Sequence, residues 1–244
     1  MKILREPGEL SAYFFQKKER YPGALADTGF LYAIAYDDDR LFEKANSVLD
    51  ILSDHGISIY ANVISRMEFV DLIFRKQVTN GCIQLFEKLR TDLVARPIFN
   101  TLKDIRDKDT AARRQNQSYK IDERRLKGLR QNISQAFGID DWKAFCKTYV
   151  GSMLVSEWAL LEEDLDLRFV EVLEGEKSDL MTAPLVWKDM VEVMGTNGMR
   201  GPDAMIVNLF SKSKFPILIT SDSDFETCFA DPLDDHTDKT IFIL

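Results

Sequence analysis

The stretch Phe215-Pro-Ile-Leu-Ile-Thr-Ser-Asp-Ser-Asp-Phe225 decides the fold. An apolar run of strand length passes without a break into Thr-x-Asp-x-Asp-Phe. That pattern predicts a buried strand over 215–220 with acids at its carboxyl end. Open α/β sheets bind their ligands at that edge. Working outward, shorter apolar runs predict further strands at 24–27, 57–60, 168–173 and 240–244.

Helical spacing fills the gaps between them. Leu10, Tyr13 and Phe14 mark a helix over 9–20, closed by Pro22-Gly23. Helices are also expected at 30–36 and at 40–53, the latter stopped by Gly56 after His55. Asn62 can cap a helix running to about Val78, with a second helix over 81–95. Helical stretches and no strand occupy 97–158. Val186, Trp187, Met190, Val191 and Met194 predict a helix ending at Gly195, and another begins near Pro202-Asp203. Strands separated by helices imply βαβ units. The expected fold class is α/β: a mostly parallel central sheet flanked by helices, one domain over 1–244 with a helical insertion at 81–165.

The 244 residues and 45% hydrophobic content suit one large domain or one domain with an insertion. A formal charge of −8 gives the whole molecule no attraction for polyanions, so nucleic acid would need a local basic patch or a bound cation. Cys82, Cys146 and Cys228 are odd in number and widely spaced, which argues against a disulfide framework or a zinc site. The opening Met1-Lys-Ile-Leu-Arg-Glu-Pro-Gly lacks an apolar signal core, and no apolar run reaches membrane-spanning length. The expectation is a cytoplasmic protein without membrane contact.

Four acids fall on the predicted strand-to-helix edge: Asp27, Glu68, Asp203 and Asp222. Asp27 and Asp222 end strands. Asp203 opens a helix, where the dipole favours negative charge. Glu68 lies among Ile64 and Leu72, an apolar setting that requires a partner. Two carboxylates roughly 4–5 Å apart repel by about 3–4 kcal/mol at an effective dielectric near 20. Protons or a cation must offset several such pairs. An all-oxygen set favours Mg²⁺ or Mn²⁺ over zinc or copper.

Ala26-Asp27-Thr28-Gly29-Phe-Leu-Tyr resembles the opening Asp-Thr/Ser motif of PIN-domain nucleases, and Ser65-Arg-Met-Glu68-Phe-Val resembles their helical second acid. Arg200-Gly-Pro-Asp203-Ala-Met-Ile resembles the third motif and Ile219-Thr-Ser-Asp222-Ser-Asp224-Phe225 the fourth. The resemblance covers 24–78 and 168–244. It implies that Asp27, Glu68, Asp203 and Asp222 are catalytic, metal-binding acids, with Asp224 as a fifth ligand. It also implies that Thr28, Thr220 and Ser221 support the site with hydroxyls. It further implies Mg²⁺- or Mn²⁺-dependent hydrolysis of RNA phosphodiesters, and in many relatives a toxin held by an antitoxin. The chain departs from the small toxins by an N-terminal extension, the large helical insertion, and Gly29 where Asn is commonest. Those departures leave the substrate, the antitoxin or other protein partner, and oligomerisation open.

Other acids and cations admit blander readings. Asp37-Asp38-Asp39 reads as a solvated capping turn, Asp234-Asp235-His236 as a polar loop, and His55 as a helix terminus. Asp71, one turn from Glu68, competes with it for the inward position. Arg113, Arg114, Arg124, Arg125 and Lys127 form the densest basic stretch, either an ion-paired helical face or an RNA-binding patch. The readings to separate are a metal-dependent endoribonuclease and a non-catalytic PIN-like scaffold that binds a protein through the insertion. A phosphatase of another acid-rich class fits less well, because Asp27-Thr28-Gly29 lacks the Asp-x-Asp expected after its first strand.

Overall fold

Every strand of the central sheet runs parallel to its neighbours. The computed structural model describes residues 2–16, 22–89, 96–115, 117–137, 141–172, 174–176, 178–228 and 238–244. In chain order its elements are β1 (Lys2–Leu4), α1 (Pro7–Gln16), β2 (Ala24–Ala26), α2 (Thr28–Ala35), α3 (Phe42–Asp54), β3 (Ile59–Asn62) and α4 (Val63–Leu89). There follow α5 (Arg96–Arg113), α6 (Glu123–Phe137), α7 (Asp141–Tyr149), α8 (Gly151–Leu165), β4 (Arg168–Val170), α9 (Trp187–Asn197), α10 (Gly201–Lys212), β5 (Ile217–Thr220), α11 (Asp224–Cys228) and β6 (Thr240–Ile243). Among the described residues no helix is long and apolar enough to cross a membrane.

The chain forms two compact units. One comprises Met1–Asp37, Leu41–Phe69 and Glu162–Leu244, the other Asp38–Arg40 and Val70–Leu161. The first unit holds the six-stranded sheet, in the order β1-β6-β5-β2-β3-β4. Strands β2, β3, β5 and β6 are buried along their whole length. That is why they read as continuous apolar runs rather than alternating ones. Leu25, Leu218 and Ile241 share one cluster with Met205, Ile206, Leu209 and Phe210 of α10. The pleat sends alternate positions to the other face. There α3 sets Lys44 over the Phe242 ring, and α1 and α2 pack on α3.

The order reverses between β2 and β5: the chain leaves β2 toward β3 and β4, then returns to lay β5 on the other side of β2. Such a reversal opens a crevice at the carboxyl ends of the two strands. Asp27 and Thr220 emerge at that reversal.

The second unit is helical. Val78, Cys82, Phe86, Ile98, Leu102, Ile105, Ile121, Leu129 and Ile133 form its core. The expected break near Val78 does not occur, and α4 runs unbroken to Leu89. Gly81 is there for packing: a Cβ on it would lie 2.7 Å from Tyr149 Cβ and 3.0 Å from the Phe145 ring. The glycine thus admits a close neighbour rather than ending a helix.

Other boundaries also moved. Strand β1 was not expected, because three residues at a sheet edge carry too little pattern to read. Strand β3 starts two residues later than expected, since Gly56 at φ +65 and the Ile57 amide bonded to the Leu52 carbonyl finish α3 first. Helix α9 passes through Gly195, and Gly198 at φ +67 provides the left-handed cap, donating to the Met194 carbonyl at 3.0 Å. Residues 17–20 of the first expected helix, Leu173 of the expected third strand and 90–95 of the expected helix over 81–95 lie outside the described residues, as does Asp234-Asp235-His236.

Candidate active site

Strand β2 ends by handing its chain to α2 through Asp27. In the sheet register Ala26 lies beside both Ala61 and Ile219. The next residues along, Asp27, Asn62 and Thr220, therefore stand at one level across three adjacent strands. Asp27 is 7% exposed. Its Oδ1 accepts from the Thr28 amide at 2.6 Å, and its Oδ2 accepts from the Thr220 hydroxyl at 2.9 Å. The Asp222 amide donates to that same Thr220 oxygen at 3.0 Å. A polar chain thus runs from the Asp222 backbone through Thr220 to the buried carboxylate.

Thr28 opens α2 and is itself buried; its hydroxyl donates to Glu68 Oε2 at 3.0 Å. That contact fixes Glu68 toward the β2–α2 junction. Asp71 instead is exposed and pairs with Arg75 at 2.9 Å, one turn along α4. Asp203 sits in the first turn of α10, half-buried. Asp222 receives the Asp224 amide on Oδ1 at 2.8 Å, while Asp224 itself is exposed. Ser221 lies against the start of α2, where a Cβ on residue 29 would stand 1.9 Å from its hydroxyl oxygen. Gly29, the departure from the commoner Asn, leaves that space for Ser221.

The electrostatics follow from this placement. Burial pushes the Asp27 carboxyl up to about 6, against the bonds from Thr220 and Thr28, and the charges of Glu68 and Asp203 push the same way. Asp203 is also raised, first by burial and then by Glu68, Asp222 and Asp224, with Arg200 opposing. The four acids from four separate elements stand in one another's field. They do not converge: among the described residues no three His, Cys, Asp or Glu side chains adopt a metal-holding arrangement.

A scan against family models, a search of curated proteins and a search of solved structures each returned no match.

The donor set fits a hard divalent cation in its chemistry. It is all oxygen, and the buried Asp27 carboxylate is opposed by acids rather than balanced by a base. Sequence reading used Asn62 only as a helix cap, and its Oδ1 does accept from the Ile64 and Ser65 amides at 2.8 and 2.9 Å. Its Nδ2, however, is buried beside Asp27's level in the sheet without a partner among the described residues, as is the Ser65 hydroxyl. A buried unpaired amide is costly, so it marks a place where another acceptor belongs. The signal in the sequence was an Asn closing an apolar strand.

The basic residues lie in the helical unit and are mostly neutralised there. Arg113 pairs with Asp109 at 2.6 Å and Lys127 with Glu123 at 3.1 Å. Arg125 bonds Tyr119 at 2.8 Å and faces Asp122 and Asp104. Arg114 and Arg124 are exposed and carry no ion pair among the described residues. Asp38 of the acidic turn is held by the buried Lys76 ammonium at 2.9 Å, so that turn is an anchor as well as a loop. His55 caps α3. Cys82 and Cys228 are buried, and no disulfide joins the three thiols.

Proposed function

We propose that this chain is a PIN-like, metal-dependent endoribonuclease. The observation that carries the reading is the raised Asp27 carboxyl at the sheet's switch point, opposed by the charges of Glu68 and Asp203. Asp27, Asp203 and Asp222 would hold Mg²⁺ or Mn²⁺, with Glu68 completing the set and Asp224 at its rim. A bound ion of that kind lowers the pKa of water and offsets charge building on a phosphodiester.

The chain's own groups supply positioning. Thr220 holds Asp27 in one rotamer through its hydroxyl, and its own hydrogen is directed by the Asp222 amide. Thr28 does the same for Glu68, whose second oxygen is left to accept a proton from an attacking water. In-line displacement would leave a 5′-phosphate and a 3′-hydroxyl.

The scaffold reading has its own support. On α8 the apolar side chains of Met153 and Leu160, two turns apart on one side of the helix, are exposed and offer a contact for a protein partner such as an antitoxin. One experiment separates the two. Melting temperature and cleavage of a single-stranded RNA are followed against Mg²⁺ and Mn²⁺ for wild type, Asp27→Asn and Asp203→Asn. The nuclease reading expects metal to raise the wild-type melting temperature and support cutting, with both effects lost in the variants. Metal-independent melting and no cutting would leave the scaffold.

A further inference from the structure

A cavity of about 240 Å³ opens at the other side of the start of α4, lined by Val63, Arg66, Phe169, Val170, Glu171 and Val172. It belongs to the sheet unit and lies on the carboxyl edge that carries the acids. In the register Val170 pairs with Asn62, which stands level with Asp27. Adjacent strands are spaced by about 4.8 Å, so the cavity floor is about 10 Å from the Asp27 backbone. Neighbouring nucleotides of one strand can reach both.

Its lining is unusual for a surface. The Arg66 guanidinium lies 4.6 Å from the centroid of the Phe169 ring and 3.7 Å from a Glu162 carboxylate oxygen, a planar group stacked on an aromatic base and held at its edge by an acid. Val63, which lines it, is 66% exposed, and Met67 one turn further along the same helix is 62% exposed. Glu171 also lines the cavity, and an ionised carboxylate can only accept hydrogen bonds.

We infer that this cavity is a base-binding subsite for an unpaired nucleotide next to the scissile phosphate, and the inference rests on the nuclease reading. The Arg66–Phe169 stack extends into a third layer when a base lies on the guanidinium, the way single strands are held on aromatic and arginine planes. Val63 closes the base's edge from water. Glu171 accepts from an exocyclic amino group, which adenine, cytosine and guanine carry, whereas uracil offers a carboxylate only its ring N3–H. The subsite therefore prefers amino-bearing bases over uracil. A phosphate-only contact would not make that distinction.

The test measures binding apart from cleavage. Labelled single-stranded RNA decamers, each with one abasic position stepped along the chain, are titrated by fluorescence anisotropy with Ca²⁺ in place of Mg²⁺. Oligo-A and oligo-U decamers are compared alongside. In wild type one position should lose about 10-fold affinity when abasic, the scale of one stacked base. Arg66→Gln and Val63→Glu, both at exposed side chains, should each remove that sensitivity, and Glu171→Gln should narrow the preference of oligo-A over oligo-U. A flat abasic profile in wild type, or a profile unchanged in Arg66→Gln and Val63→Glu, overturns the subsite and leaves the face to a protein partner. Cleavage by wild type with a flat profile sinks the subsite alone. A variant-sensitive profile without Mg²⁺-dependent cleavage shows that the cavity binds a base but sinks the nuclease reading and, with it, the placement beside a scissile phosphate.

Discussion

In the helical unit, Asp104 lies 2.5 Å from Lys108, Asp109 lies 2.6 Å from Arg113, and Glu123 lies 3.1 Å from Lys127. Each of these three acids meets a cation four residues later on its own helix. At the carboxyl edge of the sheet the same residue types meet one another. Asp27 and Asp203 are pushed up by burial and by their acidic neighbours, with Arg200 opposing at Asp203. The difference is one of supply. A helix brings i and i+4 together, so local sequence can provide a counter-charge. A sheet edge gathers residues from distant strands, and their charges stay uncompensated unless something from outside the chain arrives.

The largest effect should come from Asp27→Asn. Mg²⁺- or Mn²⁺-dependent cleavage should fall by more than about 100-fold, beyond the loss typical of outer partners of a metal. Wild-type cutting rates in this variant would end the contrast, since the edge would then need no charge at Asp27.

Stability should respond next, and with a stated sign. The folded Asp27 carboxyl titrates at about 6 instead of 3.8, so its protonated form is the one the fold favours. The stability it contributes is fully present below about 3.8 and is lost as pH rises through about 6. Without metal, Asp27→Asn should therefore be more stable than wild type at pH 7, by about 3 kcal/mol at most, with the gap closing toward pH 3.8. Chemical denaturation of both proteins across that range checks it. A constant gap would mean the asparagine acts through packing.

A smaller loss is expected where an acid is already paired. Asp38→Asn leaves the 11% exposed Lys76 side chain without its carboxylate and should destabilise by about 2 kcal/mol, given that Asp38 is 29% exposed. Replacing Lys76 by Met as well should recover part of the loss. If Asp38→Asn alone is neutral, the pairing in the helical unit is decoration.

The smallest effect should follow replacement of Arg113, Arg114, Arg124, Arg125 and Lys127 together by Gln. With three of them held by their own carboxylates, the salt dependence of RNA affinity should change by no more than the two remaining cations allow, a slope of about 1.4 for a single strand. A change nearer five contacts would show the ion pairs opening for phosphate.

The strand-end placement of four candidate residues was legible in the sequence. Asp27, Thr28, Thr220 and Asp222 sit at ends of apolar runs, and strand ends are readable because a buried parallel strand is a nearly pure apolar segment. Glu68 against Asp71 was not separable by periodicity, since the two lie one turn apart on one helix. The Thr28 bond to Glu68 and the Asp71 pairing with Arg75 distinguish them. The continuity of α4 was missed because Gly81 looks like a breaker, and only its neighbours Tyr149 and Phe145 reveal a packing role.

The α/β class and the helical stretch after the second strand could be read along the chain, because apolar periodicity and strand ends are local properties. Only the tertiary structure decided the strand order, with β5 returning beside β2 and the unforeseen β1 at the edge. It also decided that Asn62 stands level with Asp27, and that Arg66 stacks on Phe169. Those facts depend on which strands pair and on what a helix start faces. Such choices are set by packing between residues far apart in the chain, where local pattern carries no information.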